Sequence, residues 1–170
     1  MMREIYERRS IRKYTTKDVE DFKLKKLLEA GAAAPSAHNE QPWHFIVIKD
    51  RERLNKLAEI HPYGKMLKDA PLAVAVCGDL DKQKDYNYWV QDCSAATQNI
   101  LLEAVSLGLG AVWLGVHPNP NIEPAVNEFF DLPENVKTLS VISLGYPAEH
   151  KDSKTRLKEE IVHQESWLNK

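Results

Sequence analysis

Hydrophobic residues along this chain follow two different spacings. Short, nearly continuous apolar runs bounded by turn-forming residues are typical of buried strands. Such runs predict strands at 43–48, 72–76, 111–116 and 138–144. Apolar residues three and four apart are typical of helices that face a core. They predict helices over 19–34, 51–60, 86–107 and 123–130. Because strands alternate with helices, the pattern predicts an α/β or α+β sheet covered by helices.

Composition and charge narrow the class of protein. With 170 residues, 43% hydrophobic and 28% charged, the chain has the composition expected of one globular domain over residues 1–170. No apolar run reaches the roughly 18 residues that cross a bilayer, and the first residues lack the apolar stretch of a secretory signal. We therefore expect a cytoplasmic protein. The net charge of −2 argues against a general attraction to nucleic acid or to an anionic membrane.

Several common catalytic and nucleotide-binding motifs are missing. The stretch GLGAVWLG, which begins at Gly108, has Trp113 where a dinucleotide fingerprint needs its third glycine, and it enters a strand instead of leaving one. There is no P-loop, no G-x-S-x-G elbow and no histidine spacing typical of a metal site. Cys77 and Cys93 are expected to be buried free thiols, with a disulfide or a reactive thiol as the alternative. If the chain is an enzyme, we expect an organic cofactor to carry its chemistry.

A basic segment near the start of the chain is a candidate anion site. Arg8, Arg9, Arg12 and Lys13 fall within six residues. In an extended segment Arg8, Ser10 and Arg12 would share one face, because side chains alternate with a period of two. Two guanidinium groups and a hydroxyl on one face suit a phosphate. The alternative is a solvated basic surface.

A polar loop bracketed by prolines runs into the first predicted strand. Between Pro35 and Pro42 it carries Ser36, Asn39 and Gln41. These side chains supply both hydrogen-bond donors and acceptors, which a heterocycle with carbonyl and imide edges requires. The alternative is an ordinary helix-to-strand turn.

Three further features are weak when each is taken alone. Lys65 precedes the second strand, Gly115 ends the third, and a basic pair occupies positions 154 and 156 near the end of the chain. A glycine at a strand end allows a flat ligand to approach the backbone closely. The lysine and the basic pair fit solvated surface positions equally well.

Taken together and in this order, these motifs resemble those of the nitroreductase family of flavoproteins. The resemblance extends from Arg8 to about Trp167. Its most specific part is P-S-x-x-N-x-Q-P-W, which is matched from Pro35 to Trp43. The R-R-S-x-R opening, the K-M-L before the second strand and the K-x-R near the end are individually weak but occur in the order found in the family.

The resemblance implies a fold, an assembly and a cofactor. The implied fold is α+β and three-layered, with helices flanking a mixed, mainly antiparallel sheet. The implied assembly is a homodimer that holds two FMN molecules between its subunits and no metal. The implied cofactor-binding residues are Arg8, Arg9, Ser10, Arg12, Pro35, Ser36, Ala37, Asn39, Gln41, Lys65, Leu114, Gly115, Lys154 and Arg156.

The resemblance also implies roles for these residues. The basic residues from both ends of the chain, with Ser10, would serve the flavin phosphate, the ribityl chain and the pyrimidine edge. The polar loop would line the ring or the ribityl chain, partly from the second subunit. Lys65 would lie on the pyrimidine side, and the backbone amide of Leu114 or Gly115 would face the flavin N5.

The implied activity is FMN-dependent reduction of a nitroaromatic, a quinone or a related small electrophile by NADH or NADPH. No side chain need act as nucleophile or general base. Because no dinucleotide fingerprint is present, we expect NAD(P)H and the acceptor to use the same space in turn, which is a ping-pong mechanism. Dehalogenation, enone reduction and flavin breakdown on the same fold remain alternatives. Flavin binding without turnover and an interaction domain without a cofactor also remain open.

Two positions depart from the family pattern. Only seven residues separate Gly78 from Tyr86, so the helical insertion that roofs the site in larger members is missing and the pocket should be more open. Leu114 stands where many relatives have Glu, so a carboxylate is lost while the backbone amide remains. The small residues of the long helix are expected to face a second subunit, and Tyr88 and Trp89 to edge the cofactor cavity.

Overall fold

The centre of the molecule is a four-stranded antiparallel sheet. It is seen in a computed structural model that describes residues 2–84, 88–153 and 155–167. The strands have the order β1-β2-β4-β3. Their bounds are β1 Trp43–Ile48, β2 Leu72–Asp79, β3 Gly110–Gly115 and β4 Val136–Gly145. All four predicted strands are present, and β2 extends three residues beyond its predicted end because its pairing with β4 continues past a register shift at Val76/Cys77.

One short parallel pairing makes the sheet mixed. Ser10 forms a parallel bridge with Ala111 of β3, and the Ile11 N–H donates to the Ala111 carbonyl at 3.0 Å. The first residues of the chain therefore lie beside β3, which is otherwise an edge strand. The expected mixed, mainly antiparallel sheet is confirmed.

Helices cover both faces of the sheet. They are α1 Arg3–Glu7, α2 Asp21–Ala32, α3 Arg51–Ile60, α4 Trp89–Ser106 and α5 Glu123–Phe129. Side chains from α2 and α4 pack with Val74 and Val76 on one face, while those of α3 and α5 pack with Ala73 and Ala75 on the other. The alternation along β2 follows from the period-two pleat, and the three-layer α+β fold is confirmed.

Most helix predictions need only shorter bounds, and α1 was not predicted. The helix expected from Val19 begins at Asp21, because Val19 is buried in the core ahead of the first turn. The long helix is described from Trp89, and its expected start at Tyr86 lies outside the described residues. None of the helices in the described part of the chain has the length and hydropathy needed to cross a membrane.

The apolar face of α4 packs within the chain. Trp89 is 1% exposed and fills the space left by Gly78, where a Cβ would lie 2.5 Å from the Trp89 ring. The expectation that Trp89 edges a cavity is therefore wrong. Cys77 and Cys93 are buried free thiols as predicted, and burial raises their pKa to about 11 and about 12.

Candidate functional site

The outer edge of β3 exposes backbone groups that no neighbouring strand covers. The Val116 N–H donates to the Leu139 carbonyl of β4 at 3.0 Å. Hydrogen-bonded positions alternate along an antiparallel pair, so Leu114 directs its backbone groups toward β4 and Gly115 directs its own away from it. The Ala111 carbonyl, which accepts from the Ile11 N–H, also points away from β4. Ala111 and Gly115 are an even number of residues apart, so their backbone groups point to the same side of β3.

Gly115 is the open position on this edge. It is exposed, and a Cβ built on it would meet no atom of residues 2–84, 88–153 or 155–167 within 4 Å. Leu114, in contrast, is buried in the core between the sheet and α3 and α5. Of the two amides considered from the sequence, that of Gly115 is the one directed away from β4, at an exposed residue.

A buried histidine holds the end of this strand. His61 is 2% exposed, and its Nε2 lies 3.0 Å from the Gly115 carbonyl oxygen. Its Nδ1 accepts the Tyr63 N–H at 3.2 Å. Since Nδ1 is an acceptor, we assign the proton to Nε2, which then donates to Gly115. Sequence reasoning did not select His61, because nothing local distinguishes it from a surface histidine.

The same histidine leads directly into the Lys65 turn. The Gly64 N–H donates to the His61 carbonyl at 2.8 Å, and the 3₁₀ turn Lys65–Lys68 follows. The Lys65 side chain is exposed. The contact between His61 and Gly115 therefore brings the Lys65 turn to the end of β3.

Basic residues from the two ends of the chain approach one another. Arg8 is partly buried, and its pKa is lowered by that burial and by the charges of Arg9 and Arg156. Like charges repel when they are gathered in one place, whereas a bound anion would stabilise them. The charge of Arg156 thus acts on Arg8, and a shared anion site for the two residues stays a prediction. Lys154 lies outside the described residues.

Arg9 has a different environment from Arg8. Its Nε donates to the Asp152 carbonyl at 2.7 Å, and its Nη1 donates to the Arg8 carbonyl at 2.6 Å. The remaining Nη2 is buried and has no hydrogen-bond partner within the described part of the chain. The Arg9 side chain therefore braces the backbone of both segments.

Two residues that the sequence did not suggest hold the basic segment in place. The Arg12 N–H donates to Glu149 Oε1 at 2.6 Å, and Lys151 Nζ donates to the Ser10 carbonyl at 2.6 Å. Glu149 and Lys151 also pair with each other at 3.2 Å. The Arg12 N–H is the main reason why the pKa of Glu149 is lowered. The Arg12 side chain itself is exposed.

The polar loop is rigid and internally bonded. Ser36 Oγ accepts the Gln41 N–H at 3.0 Å, and Gln41 Nε2 donates to Asn39 Oδ1 at 2.8 Å. His38, Asn39 and Gln41 have φ angles of 51°, 57° and 50°, which non-glycine residues seldom adopt. Pro35 is exposed at the start of the loop, where its ring is accessible. The bonds leave the Ser36 hydroxyl hydrogen and the Asn39 amide group as donors.

The loop and the basic segment lie on opposite edges of the sheet. The loop leads into β1, whereas Ser10 pairs beside β3, and the order β1-β2-β4-β3 separates these strands by three spacings, roughly 14 Å. Arg8, Ser10 and Gly115 therefore lie along the β3 edge, to which His61 joins the Lys65 turn, and form one group. Ser36, Ala37, Asn39 and Gln41 form another group at the β1 edge.

Comparison with known proteins identifies the family of this chain. The Nitroreductase family model matches residues 5–61 and 60–146. A protein of Methanothermobacter thermautotrophicus, provisionally named NADH dehydrogenase/NAD(P)H nitroreductase, is 50% identical over 160 residues, covering 94% of this chain and 84% of its own.

Two solved structures show the same fold. An FMN-dependent nitroreductase from Clostridium difficile superposes with a TM-score of 0.89 at 35% identity, covering 98% of this chain and 99% of its own. A protein from Desulfovibrio desulfuricans that is provisionally named a nitroreductase, solved in complex with FMN, gives a TM-score of 0.84 at 36% identity, covering 97% of this chain and 96% of its own. The chain therefore belongs to the nitroreductase family.

Proposed function

We propose that this chain is one FMN-binding domain that acts as an NAD(P)H-dependent oxidoreductase in a homodimer. The observation that carries the proposal is the outer edge of β3. At one end of this edge Ser10 pairs with Ala111 and the charge of Arg156 lowers the pKa of Arg8, and at the other end the exposed Gly115 directs its backbone groups away from β4. The solved relatives named as FMN-dependent or FMN-bound support the choice of cofactor.

The residues at this edge fit the dimensions and the charge of FMN. Ala111, which pairs with Ser10, and Gly115 are four residues apart, which corresponds to about 13 Å of extended strand. This is enough for a ribityl phosphate with a ring at its end. A phosphate would relieve the repulsion around Arg8, and a ring would occupy the space beside Gly115, where a Cβ would meet nothing. The cations at 8 and 156 would hold the phosphate, and Ser10 the ribityl chain.

The chain's own groups position the cofactor and adjust its electronics. FMN, when bound, supplies the capacity to accept and donate a hydride. The Gly115 N–H would hydrogen-bond the ring edge, with the glycine held by His61. Arg12 and Lys65 carry exposed cations that would stabilise negative charge on the pyrimidine side. Neither cation needs to transfer a proton.

The separation of the two groups of site residues supports a dimer. Ser36, Asn39 and Gln41 lie at the β1 edge, while Ser10 and Gly115 lie at the β3 edge. If the loop contributes to flavin binding, it reaches the flavin of a second copy. Each of the two sites would then be built from both subunits.

The open edge also fits a ping-pong reaction. A Gly115 edge open to solvent gives NAD(P)H and the acceptor access to the same face in turn. Nitroaromatics, quinones and related small electrophiles are the acceptors we propose. The cytoplasmic location remains part of this proposal.

Anaerobic titration of the purified protein with NADH and with NADPH tests the proposal. We expect a yellow protein that releases FMN on denaturation, whose flavin absorbance bleaches with either donor and returns when a quinone is added. A colourless protein would support an interaction domain. A yellow protein that does not bleach would support a silent flavin binder, and consumption of FMN under oxygen would support flavin breakdown.

A further inference from the structure

A buried carboxylate ties the polar loop to the long helix. Asp92, in the first turn of α4, is 5% exposed, and its Oδ1 accepts the Ala37 N–H at 3.1 Å. Its Oδ2 is buried and has no hydrogen-bond partner among the residues that the structure describes. Burial of a carboxylate is unfavourable in free energy unless its oxygens are hydrogen-bonded or paired, so a buried Asp92 calls for an explanation.

The Ala37 amide lies at the point where the loop acquires its unusual shape. Ser36 is extended, with φ −139° and ψ 152°, and Ala37 begins the 3₁₀ turn Ala37–Asn39. The left-handed residues follow immediately at His38 and Asn39. A bond at Ala37 therefore determines the direction in which the strained part of the loop leaves the protein.

The other side-chain contacts of the loop go to less regular structure. Glu40 accepts from Gln83 Nε2 at 2.9 Å and from the Lys84 N–H at 3.0 Å. Lys82 Nζ donates to the Gln41 carbonyl at 3.4 Å. These partners lie in the connection between β2 and α4. Asp92, by comparison, belongs to an 18-residue helix that packs on the sheet.

We propose that Asp92 is the positioning residue for the polar loop and that it acts on the partner subunit's cofactor site. The inference rests on the proposed function, in which the loop reaches the flavin of a second copy. Asp92 is not a catalytic residue, because its Oδ1 accepts from the Ala37 N–H and its Oδ2 is buried. It holds the Ser36 and Asn39 donors where the partner's flavin would meet them.

Two substitutions remove the same hydrogen bond from opposite sides. Asp92→Ala removes the acceptor, and Ala37→Pro removes the donor at a position where the extended Ser36 tolerates a following proline. Asp92→Asn keeps an acceptor oxygen but removes the charge. Thr97→Val, on the same helix, removes the 3.0 Å contact with Ser140 and leaves the loop untouched, so it is the matched control.

Hydrogen exchange and flavin affinity measure the two parts of the inference. In the flavin-free protein we expect Asp92→Ala to expose the Ala37 amide to exchange, and in the loaded protein we expect it to weaken FMN binding roughly tenfold. Ala37→Pro should weaken FMN binding equally, and the double variant no further. Asp92→Asn and Thr97→Val should stay within about twofold of the unaltered protein. Ala37→Pro also tests the bond if Asp92→Ala does not fold.

A mixed dimer tests whether the effect crosses the subunit boundary. One tagged subunit carries Asp92→Ala and the other carries Arg8→Ala with Arg156→Ala. If Asp92 acts on the partner's site, one site receives both defects and the other neither, so one FMN binds tightly per dimer. If it acts within its own subunit, both sites are defective and no FMN binds tightly.

The outcomes separate this inference from the proposed function. An unaltered protein that binds no FMN would overturn both. If the unaltered protein binds two FMN per dimer, two results would overturn only the role of Asp92. One is that Asp92→Ala binds FMN as tightly as the unaltered protein, and the other is that Asp92→Asn is impaired as strongly as Asp92→Ala. A mixed dimer without tight FMN would overturn its action on the partner.

Discussion

The His61 imidazole donates through Nε2 to the Gly115 carbonyl at 3.0 Å, and this contact joins the end of α3 to the open edge of β3. Glycine has no side chain to restrict its backbone, so a hydrogen bond to its carbonyl limits the conformations that it can adopt. The Val116 N–H is bonded to Leu139. Both groups of the peptide that follows Gly115 are therefore held, which keeps the glycine in one orientation.

Replacing His61 by Phe should loosen this end of the strand. The change leaves the Gly115 carbonyl and the Tyr63 N–H without their partner, so we expect a loss of about 1–3 kcal/mol in the free energy of unfolding and weaker FMN binding. Urea denaturation and fluorescence titration with FMN measure the two effects. Tyr63→Phe, which keeps the Tyr63 N–H, is the control. FMN affinity unchanged in His61→Phe would contradict the role assigned to this histidine.

Replacing Gly115 by Ala should separate stability from cofactor binding. Its added Cβ meets no atom of the described residues within 4 Å, so we expect the free energy of unfolding to change by less than about 0.5 kcal/mol. FMN binding should weaken, because the methyl group enters the space that we assign to the ring. Calorimetry without flavin and titration with FMN check this pair of results.

The matched substitution is Gly110→Ala in the same strand. Its Cβ would lie 2.6 Å from Ile11, so it should cost about 1–3 kcal/mol of stability. Flavin affinity retained in Gly115→Ala would place the ring elsewhere.

Replacing Arg8 by Gln should reduce the preference for FMN over riboflavin. The two ligands differ only in the phosphate, and a hydrogen bond to a charged group contributes about 1.5–3 kcal/mol, so the ratio of the two dissociation constants should fall roughly 10- to 150-fold. Riboflavin binding should hardly change. Lys25→Gln, at an exposed helical cation, is the control. An unchanged ratio would remove Arg8 from the phosphate site.

Acidification should release the basic segment through Glu149. The pKa of this carboxyl is lowered in the folded protein, chiefly by the Arg12 N–H and then by Lys151. A lowered pKa means that the stabilisation is fully present above the ordinary value of 4.5 and is lost as the pH falls below it. The free energy of unfolding of flavin-free protein is measured between about pH 3 and pH 7. At the acid end it should fall less steeply in Glu149→Gln than in the unaltered protein. Parallel curves for the two proteins would rule out this contribution.

Local patterns were sufficient for most of the secondary structure. The run Trp43–Ile48 and the helix Arg51–Ile60 have the predicted bounds, because burial against a neighbouring layer imposes the spacing that the sequence displays. β2 and β4 are longer than predicted, because their pairing continues beyond the apolar runs on which the prediction was based. An aromatic residue at the start of a helix does not show from sequence whether it faces a ligand or packs inside the protein. Trp89 packs inside, in the space beside Gly78.

The four strands, four of the five helices, the cations near both ends of the chain and the polar loop could be predicted from the sequence, because each depends on residues close together along the chain. The outward direction of Gly115 and the contacts His61–Gly115, Glu149–Arg12 and Asp92–Ala37 are seen in the folded structure alone. These pairs are 54, 137 and 55 residues apart, and the parity of Gly115 depends on its register with β4. Such contacts arise from the packing of whole elements, and no short-range spacing encodes them.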